Sequence, residues 1–380
     1  MQHKITYQAA RKVAAAIEQS FARHHAEARK LAHGSLAPET PASHIQSIID
    51  TTFWASLRRE EGHSPKISLA YLPPELAGQA MVFEQRLRLT PHVLTKLAPA
   101  VERPGIHLGI WPEGDELFIW GATRNIPGLC FVLEVVEPGL LVVKHRHLDG
   151  FGKFANVAVL KGDQIKVVDE HSGKLADCPV LVSSLLGFPS PFSWNPSTNV
   201  LVQLAISMRA HGRGGSLLVV PAGTSAWRQS IIKPIPYAVE PAFLGISDLM
   251  KKNADERSQG PWQGAIRQSI EVVAGLTAVD GATIISDQYE LLAFGAKIGR
   301  PEGNNPVERI VITEPVIGSK PNIIHPASNG GTRHLSAAQF VYDQQDAIAL
   351  VASQDGRFTI FAWSPCERMV HGHQVDVLLL

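Results

Sequence analysis

Cysteine is scarce in this chain. Cys130, Cys178 and Cys366 are the only three in 380 residues; they stand far apart and form no C-x-x-C pair. That spacing argues against a disulfide framework or a cysteine-built zinc site, and a reducing cytosol fits it better. Long apolar runs are missing as well. No segment offers about 18 uninterrupted apolar residues, so no membrane span is expected. The opening stretch, MQHKITYQAARKVAAAIEQSF, lacks the apolar centre of a signal peptide. Neither sign of charge prevails: Lys plus Arg and Asp plus Glu both number 35, for a net charge of zero. No global basic field argues for duplex nucleic acid, and no acidic tail argues for a solvating partner.

What remains is the composition of a soluble globular protein, 45% hydrophobic and 18% charged, with mean hydropathy near zero. The length suits about two or three domains with well-buried cores. The chain reads in two parts, an α+β N-terminal region over 1–240 and a nucleotide-binding α/β domain over 241–380.

Residues 5–33 carry a helical pattern in which Val13, Ile17, Phe21 and Ala28 make a narrow apolar face. His24 and His25 read as solvated helix histidines, because no third ligand stands near them. Ser43 is placed to cap a second helix over 43–59. From 66 to 170 the period shortens to that of strands: ISLAYL, MVFEQRLRL, GIHLGIW, ELFIWG, LCFVLEVV and GLLVVKH, with a short helix from Pro91 to Ala100. Glu60–His63 reads as a turn and His145-Arg146-His147 as a solvated strand end. Residues 197–211 form a helix, stopped by Gly212-Arg213-Gly214-Gly215 before a buried strand from Ser216 to Val220. That glycine loop follows a helix and precedes a strand, the reverse of a phosphate-binding loop. Residues 221–240, with several prolines, read as a connection, and helices are expected near 240–257 and 262–278.

Three short motifs lie in the last hundred residues, each where a loop meets a strand or helix: Asp280-Gly281-Ala282, Gly330-Gly331-Thr332-Arg333-His334 and Ser353-Gln354-Asp355-Gly356. At Asp280 a carboxylate precedes a glycine that lets backbone approach a ligand closely. Such a carboxylate can accept a proton from a ribose hydroxyl or hold a divalent metal. Thr332 and Arg333 open a helix, where free amides, a hydroxyl and a guanidinium suit phosphate oxygens. His334 can donate to a phosphate or bind a metal. Alone, each motif is an ordinary turn, helix cap or hairpin.

Together, DGATIIS, AFGAKI, GTRHLSAA, QQDAIALVASQDG and RFTIFAW resemble the diadenylate cyclase (DAC) domain over about residues 270–365. The fold implied is a mixed sheet with flanking helices. The resemblance puts Asp280, Gly281 and Ala282 at the ribose and reactive hydroxyl. It puts Gly331, Thr332, Arg333, His334 and Ser336 along the phosphates, with Ser353 and Asp355 closing the site. Asp280 is the catalytic candidate and, with His334, the candidate metal ligand, for Mg²⁺ or Mn²⁺ if the chain is catalytic. Two positions depart from the family. Leu335 stands where a second arginine is expected, and Gln354 where a glutamate is. The whole chain also resembles DACNV-type sensor proteins, through FWASLRREEGH (53–63), HGRGGSLLVVP (211–221), VDGATIISDQYELLAFGAKI (279–298) and SQDGRFTIFAW (353–363). The resemblance implies a bacterial cytoplasmic sensor, a homo-oligomer that binds ATP or a related adenine (di)nucleotide such as cyclic di-AMP; the alternatives are an active diadenylate cyclase and an interaction module with a vestigial pocket.

Overall fold

Residues 5–30, 36–146, 154–169, 182, 196–257 and 260–380 are described by the computed structural model. They divide into two compact units, 5–169 and 196–379. This division falls earlier than the expected 240/241. The helix Pro196–Ala210 and the strand Gly215–Val220 belong to the second unit, because that strand lies inside its sheet.

In the first unit, α1 (Gln8–Lys30) buries Ala9, Ala10, Val13, Ala14, Ile17, Phe21 and Ala28 along one stripe. α2 (Ala42–Ser56) buries Ile45, Ile48, Ile49 and Ala55. Ser43 is not its cap. Pro41 holds that position, and Glu18 of α1 reaches across so that its Oε1 accepts the Ala42 N–H at 2.9 Å. Asp50 of α2 returns the contact: its Oδ1 accepts the Thr6 and Tyr7 N–H groups at 2.8 and 2.6 Å. Each helix thus satisfies amide donors at the other's start, which no local pattern shows.

The strands are β1 (Ser68–Tyr71), β2 (Met81–Arg88), β3 (His107–Glu113), β4 (Glu116–Thr123), β5 (Phe131–Glu137), β6 (Leu140–Arg146), β7 (Phe154–Lys161) and β8 (Gln164–Val167). They form one mixed sheet in the order β2-β4-β3-β1-β5-β6-β7-β8. Period-2 alternation places Leu108, Leu69, Leu133, Val143 and Ala158 in one row across five strands, and all five enter the core that holds α1 and α2. The expected helix after β2 is α3 (Pro91–Leu97), capped by Thr90. Glu60 and His63 close the expected turn by exchanging backbone hydrogen bonds.

His25 and His145 are not solvated. His25 is 1% exposed, and the His24 ring lies 4.8 Å from that of His145, which is also buried. Phe21 packs 5.6 Å from Phe131 and brings this turn of α1 onto the sheet. Burial pushes the His25 pKa down. His147 and Cys178 fall outside the described residues.

The second unit runs α4 (Pro196–Ala210), β9 (Gly215–Val220), β10 (Tyr237–Phe243), α5 (Gly245–Met250), α6 (Ala254–Arg257), α7 (Gly260–Leu276), β11 (Ala282–Ser286), β12 (Leu291–Ala296), β13 (Ile310–Thr313), β14 (Asn322–Ile324), α8 (Thr332–Asp343), β15 (Ile348–Ala352), β16 (Phe358–Ser364) and β17 (Met369–Gln374). The mixed sheet has the order β10-β12-β11-β9-β15-β16-β17-β13-β14. Leu218, Ile284, Ala349 and Phe361 form part of the core shared with Ala337, Phe340 and Val341 of α8. The stretch expected to be a connection contributes β10, an edge strand. Pro241 hides it from a sequence reading, yet an edge tolerates the missing N–H. β17 was also unexpected, because MVHGHQ carries two histidines at inward positions. The helix expected over 240–257 is two short ones, after β10 has ended.

Strand direction gathers the site. β9 and β11 run parallel, with Ser216 beside Ala282. β12 and β15 run opposite to them, pairing Ala296 with Ala282 and Ala352 with Gly215. The starts of two strands and the ends of two others therefore meet at one end of the sheet.

Candidate functional site

At that end lies a cavity of about 510 Å³. Asp280, Gly281, Ala282, Gly331, Thr332, Arg333, His334, Ser336 and Ser353 line it, drawn from all three sequence motifs. Ser216, Ile232, Ala296, Lys297, Ile298 and Ala352 complete the wall. The volume lies within the range of about 300–1,000 Å³ usual for small-molecule sites.

Gly281 is there for close packing. Its φ is +115°, and a Cβ at this position would lie 2.4 Å from the carbonyl carbon of Gly295 on β12. The glycine lets the loop carrying Asp280 lie against the end of β12, which brings Lys297 into reach. The Lys297 ammonium donates to Asp280 Oδ2 in a direct ion pair. That bond, and then the charge behind it, hold the Asp280 carboxyl below the usual carboxylate range.

Elsewhere in the wall α8 begins at Thr332, with Gly331 as its N-cap and no side-chain cap. Its first amides and the positive end of its dipole are left for a ligand. Arg333 passes over Gly214, whose φ is +70°; a Cβ there would stand 3.0 Å from Arg333 Nη1. Gly214 therefore clears space for the guanidinium. Arg213 itself is exposed and outside the lining, and its backbone N–H donates to His211 Nδ1 at 3.1 Å. His334 is 3% exposed, its Nε2 has no hydrogen-bond partner, and burial pushes its pKa down. It faces the site as a neutral ring.

Asp355 does not join the lining. Its carboxylate turns to the β15–β16 hairpin, where the Ser353 hydroxyl donates to it and Arg357 Nε lies 3.3 Å from Oδ2. The Ser353 bond is the main cause of its lowered pKa. Leu335 is half-buried on α8, also outside the lining. Gln354 donates to the Arg213 carbonyl at 3.3 Å. The sequence reading missed Lys297, although a lone charge closing the apolar strand ELLAFGAKI was a signal that it points somewhere other than the core.

The cavity wall holds two side chains able to ligate a metal, Asp280 and His334. Among the described residues no group of three or more His, Cys, Asp or Glu is arranged to hold an ion. Asp280 is the one carboxylate of the cavity wall, and Lys297 already occupies it. Chemically, the wall offers two cations, one anion, three serine hydroxyls and an open helix start. Groups of these kinds are chemically suited to phosphate oxygens.

Residues 34–124 match the family described as Probable sensor domain DACNV. The match covers α2 and β1–β4 of the first unit. Of the four segments that carried the DACNV resemblance, it contains 53–63; the other three lie beyond it. A search of curated proteins found no match. No helix among the described residues is long and apolar enough to cross a membrane.

Proposed function

We propose that this protein is a nucleotide sensor whose second unit binds an adenine nucleotide or dinucleotide through its phosphates. The observation that carries the reading is the convergence of 280–282, 331–336 and Ser353 on one cavity, with Arg333 beside an uncapped helix start. These segments lie up to about seventy residues apart along the chain, so their meeting is not a local effect. The sensor part rests on the DACNV match over 34–124. A bacterial cytosol and a homo-oligomer belong to the same proposal; the few dispersed cysteines support the first.

Calorimetry with ATP, its dinucleotide relatives and cyclic di-AMP tests the reading. At least one of them binds, and Arg333→Ala binds it several-fold more weakly. Equal binding by parent and variant rejects the site. A second reading, diadenylate cyclase, is kept by one observation, the presence of Asp280 in the cavity wall. Incubation with ATP and Mg²⁺ or Mn²⁺, followed by mass spectrometry of the products, separates the two: cyclic di-AMP marks an enzyme, and binding without turnover a sensor. Failure of both leaves an interaction module with a vestigial pocket.

A further inference from the structure

We infer that Lys297 is the second phosphate-binding cation of this cavity, standing where a divalent ion would otherwise stand, so that the site takes a polyphosphate without a metal. The inference rests on the phosphate-binding reading above and deepens it.

Three observations carry it. First, Lys297 and Arg333 line the same cavity, from the end of β12 and the start of α8. Two fixed positive charges, reached from different walls, can engage neighbouring phosphates of one chain. Second, Leu335 lies outside the cavity wall, so Arg333 is the one cation that α8 contributes to it. The second cation of the wall, Lys297, follows directly on β12. Third, Asp280 is held by Lys297 through a direct ion pair in which both side chains remain largely open to solvent, 87% and 51% exposed. A pair this exposed is weak and easily exchanged. An arriving phosphate can take the Lys297 ammonium, while a metal at Asp280 would compete with that ammonium for Oδ2. Asp280 is then a counter-ion that keeps Lys297 near the cavity, and it competes with the ligand.

The assignment makes the two partners of one ion pair act in opposite directions, which neither a metal-binding nor a merely structural Asp280 would do. The experiment is calorimetric titration of ATP, and of inorganic tripolyphosphate as a base-free probe, with the parent, Arg333→Ala, Lys297→Gln and Asp280→Asn. Each is measured in excess EDTA and in Mg²⁺, with thermal melts to check folding. We expect the parent to bind as tightly in EDTA as in Mg²⁺. Lys297→Gln loses about tenfold, the scale of one charge-assisted contact, and Asp280→Asn gains about threefold by releasing the lysine. Weaker binding by Asp280→Asn, loss of binding in EDTA, or an unchanged Lys297→Gln overturns the inference. If Arg333→Ala still weakens binding in those cases, the phosphate-binding reading survives. If the folded parent binds neither probe in either condition, both fall.

Discussion

A Cβ on Gly281 would sit 2.4 Å from the carbonyl carbon and 2.6 Å from the oxygen of Gly295. The two glycines let β11 and β12 close on each other at the end where the cavity opens.

Gly281→Ala is therefore expected to destabilise the second unit. The substituted residue must keep a positive φ and push against backbone, which cannot swing aside as a side chain would. Strain and overpacking together amount to about 2 to 4 kcal/mol. Thermal melting followed by circular dichroism checks it; an unchanged midpoint refutes the close packing.

Gly109 on β3 faces the same test in the first unit. A Cβ there would overlap the Trp120 ring at 2.0 Å, while the indole N–H donates to the Leu72 carbonyl at 2.7 Å. Gly109→Ala is expected to cost about 1 to 3 kcal/mol and to disturb Trp120. A shift in tryptophan fluorescence at equal secondary-structure content is the expected signature. This residue lies within the DACNV-matched segment, so the test also probes what that segment is built to pack.

Acid is expected to loosen both units. Burial pushes His107 down to about 4, and the same cause takes His373 to about 4. A histidine depressed in the fold is neutral there, while the unfolded chain takes up a proton near pH 6.5. The unfolded state then binds more protons between pH 6.5 and 4, so stability falls as pH falls through that window. Each group contributes about 3 kcal/mol that is fully present above pH 6.5 and lost by pH 4. His107→Asn should flatten the pH dependence of the first unit's unfolding, measured by denaturant titration across that range. A slope equal to the parent's would show that His107 is not the responsible group.

Leu335→Arg tests which side of α8 matters. Leu335 lies off the cavity wall, so an arginine there is expected to change nucleotide affinity less than about twofold, well below one charge-assisted contact. A larger gain in a variant that melts like the parent would show that position 335 reaches the ligand after all.

Much of the architecture was legible in local pattern. The 3.6-residue stripe of α1, the alternation of β3 to β6 and the GTRH start of α8 each depend on neighbours a few residues apart, and periodicity reports such neighbours directly. The three motifs were legible for the same reason: Asp280, Thr332-Arg333-His334 and Ser353 each sit at a boundary between elements. Where local signals misled, a distant partner overrode them. Ser43 lost the cap of α2 to Pro41 and Glu18, His24 packs against His145 of the sheet, His25 is buried, and Pro241 masked an edge strand that pairing with β12 defines.

The amino-acid sequence by itself thus determined the helices, most strands and the three motifs that reach the cavity. Tertiary structure alone decided which of them face one another. The parallel pairing of β9 with β11 and the antiparallel return of β12 and β15 brought Asp280, Ser353 and α8 to one cavity and turned Asp355 to its own hairpin. The same register joined Lys297 to Asp280 across 17 residues. Charge pairing of this kind depends on strand order and register, which arise from burial summed over the whole sheet, and no window of sequence holds that sum.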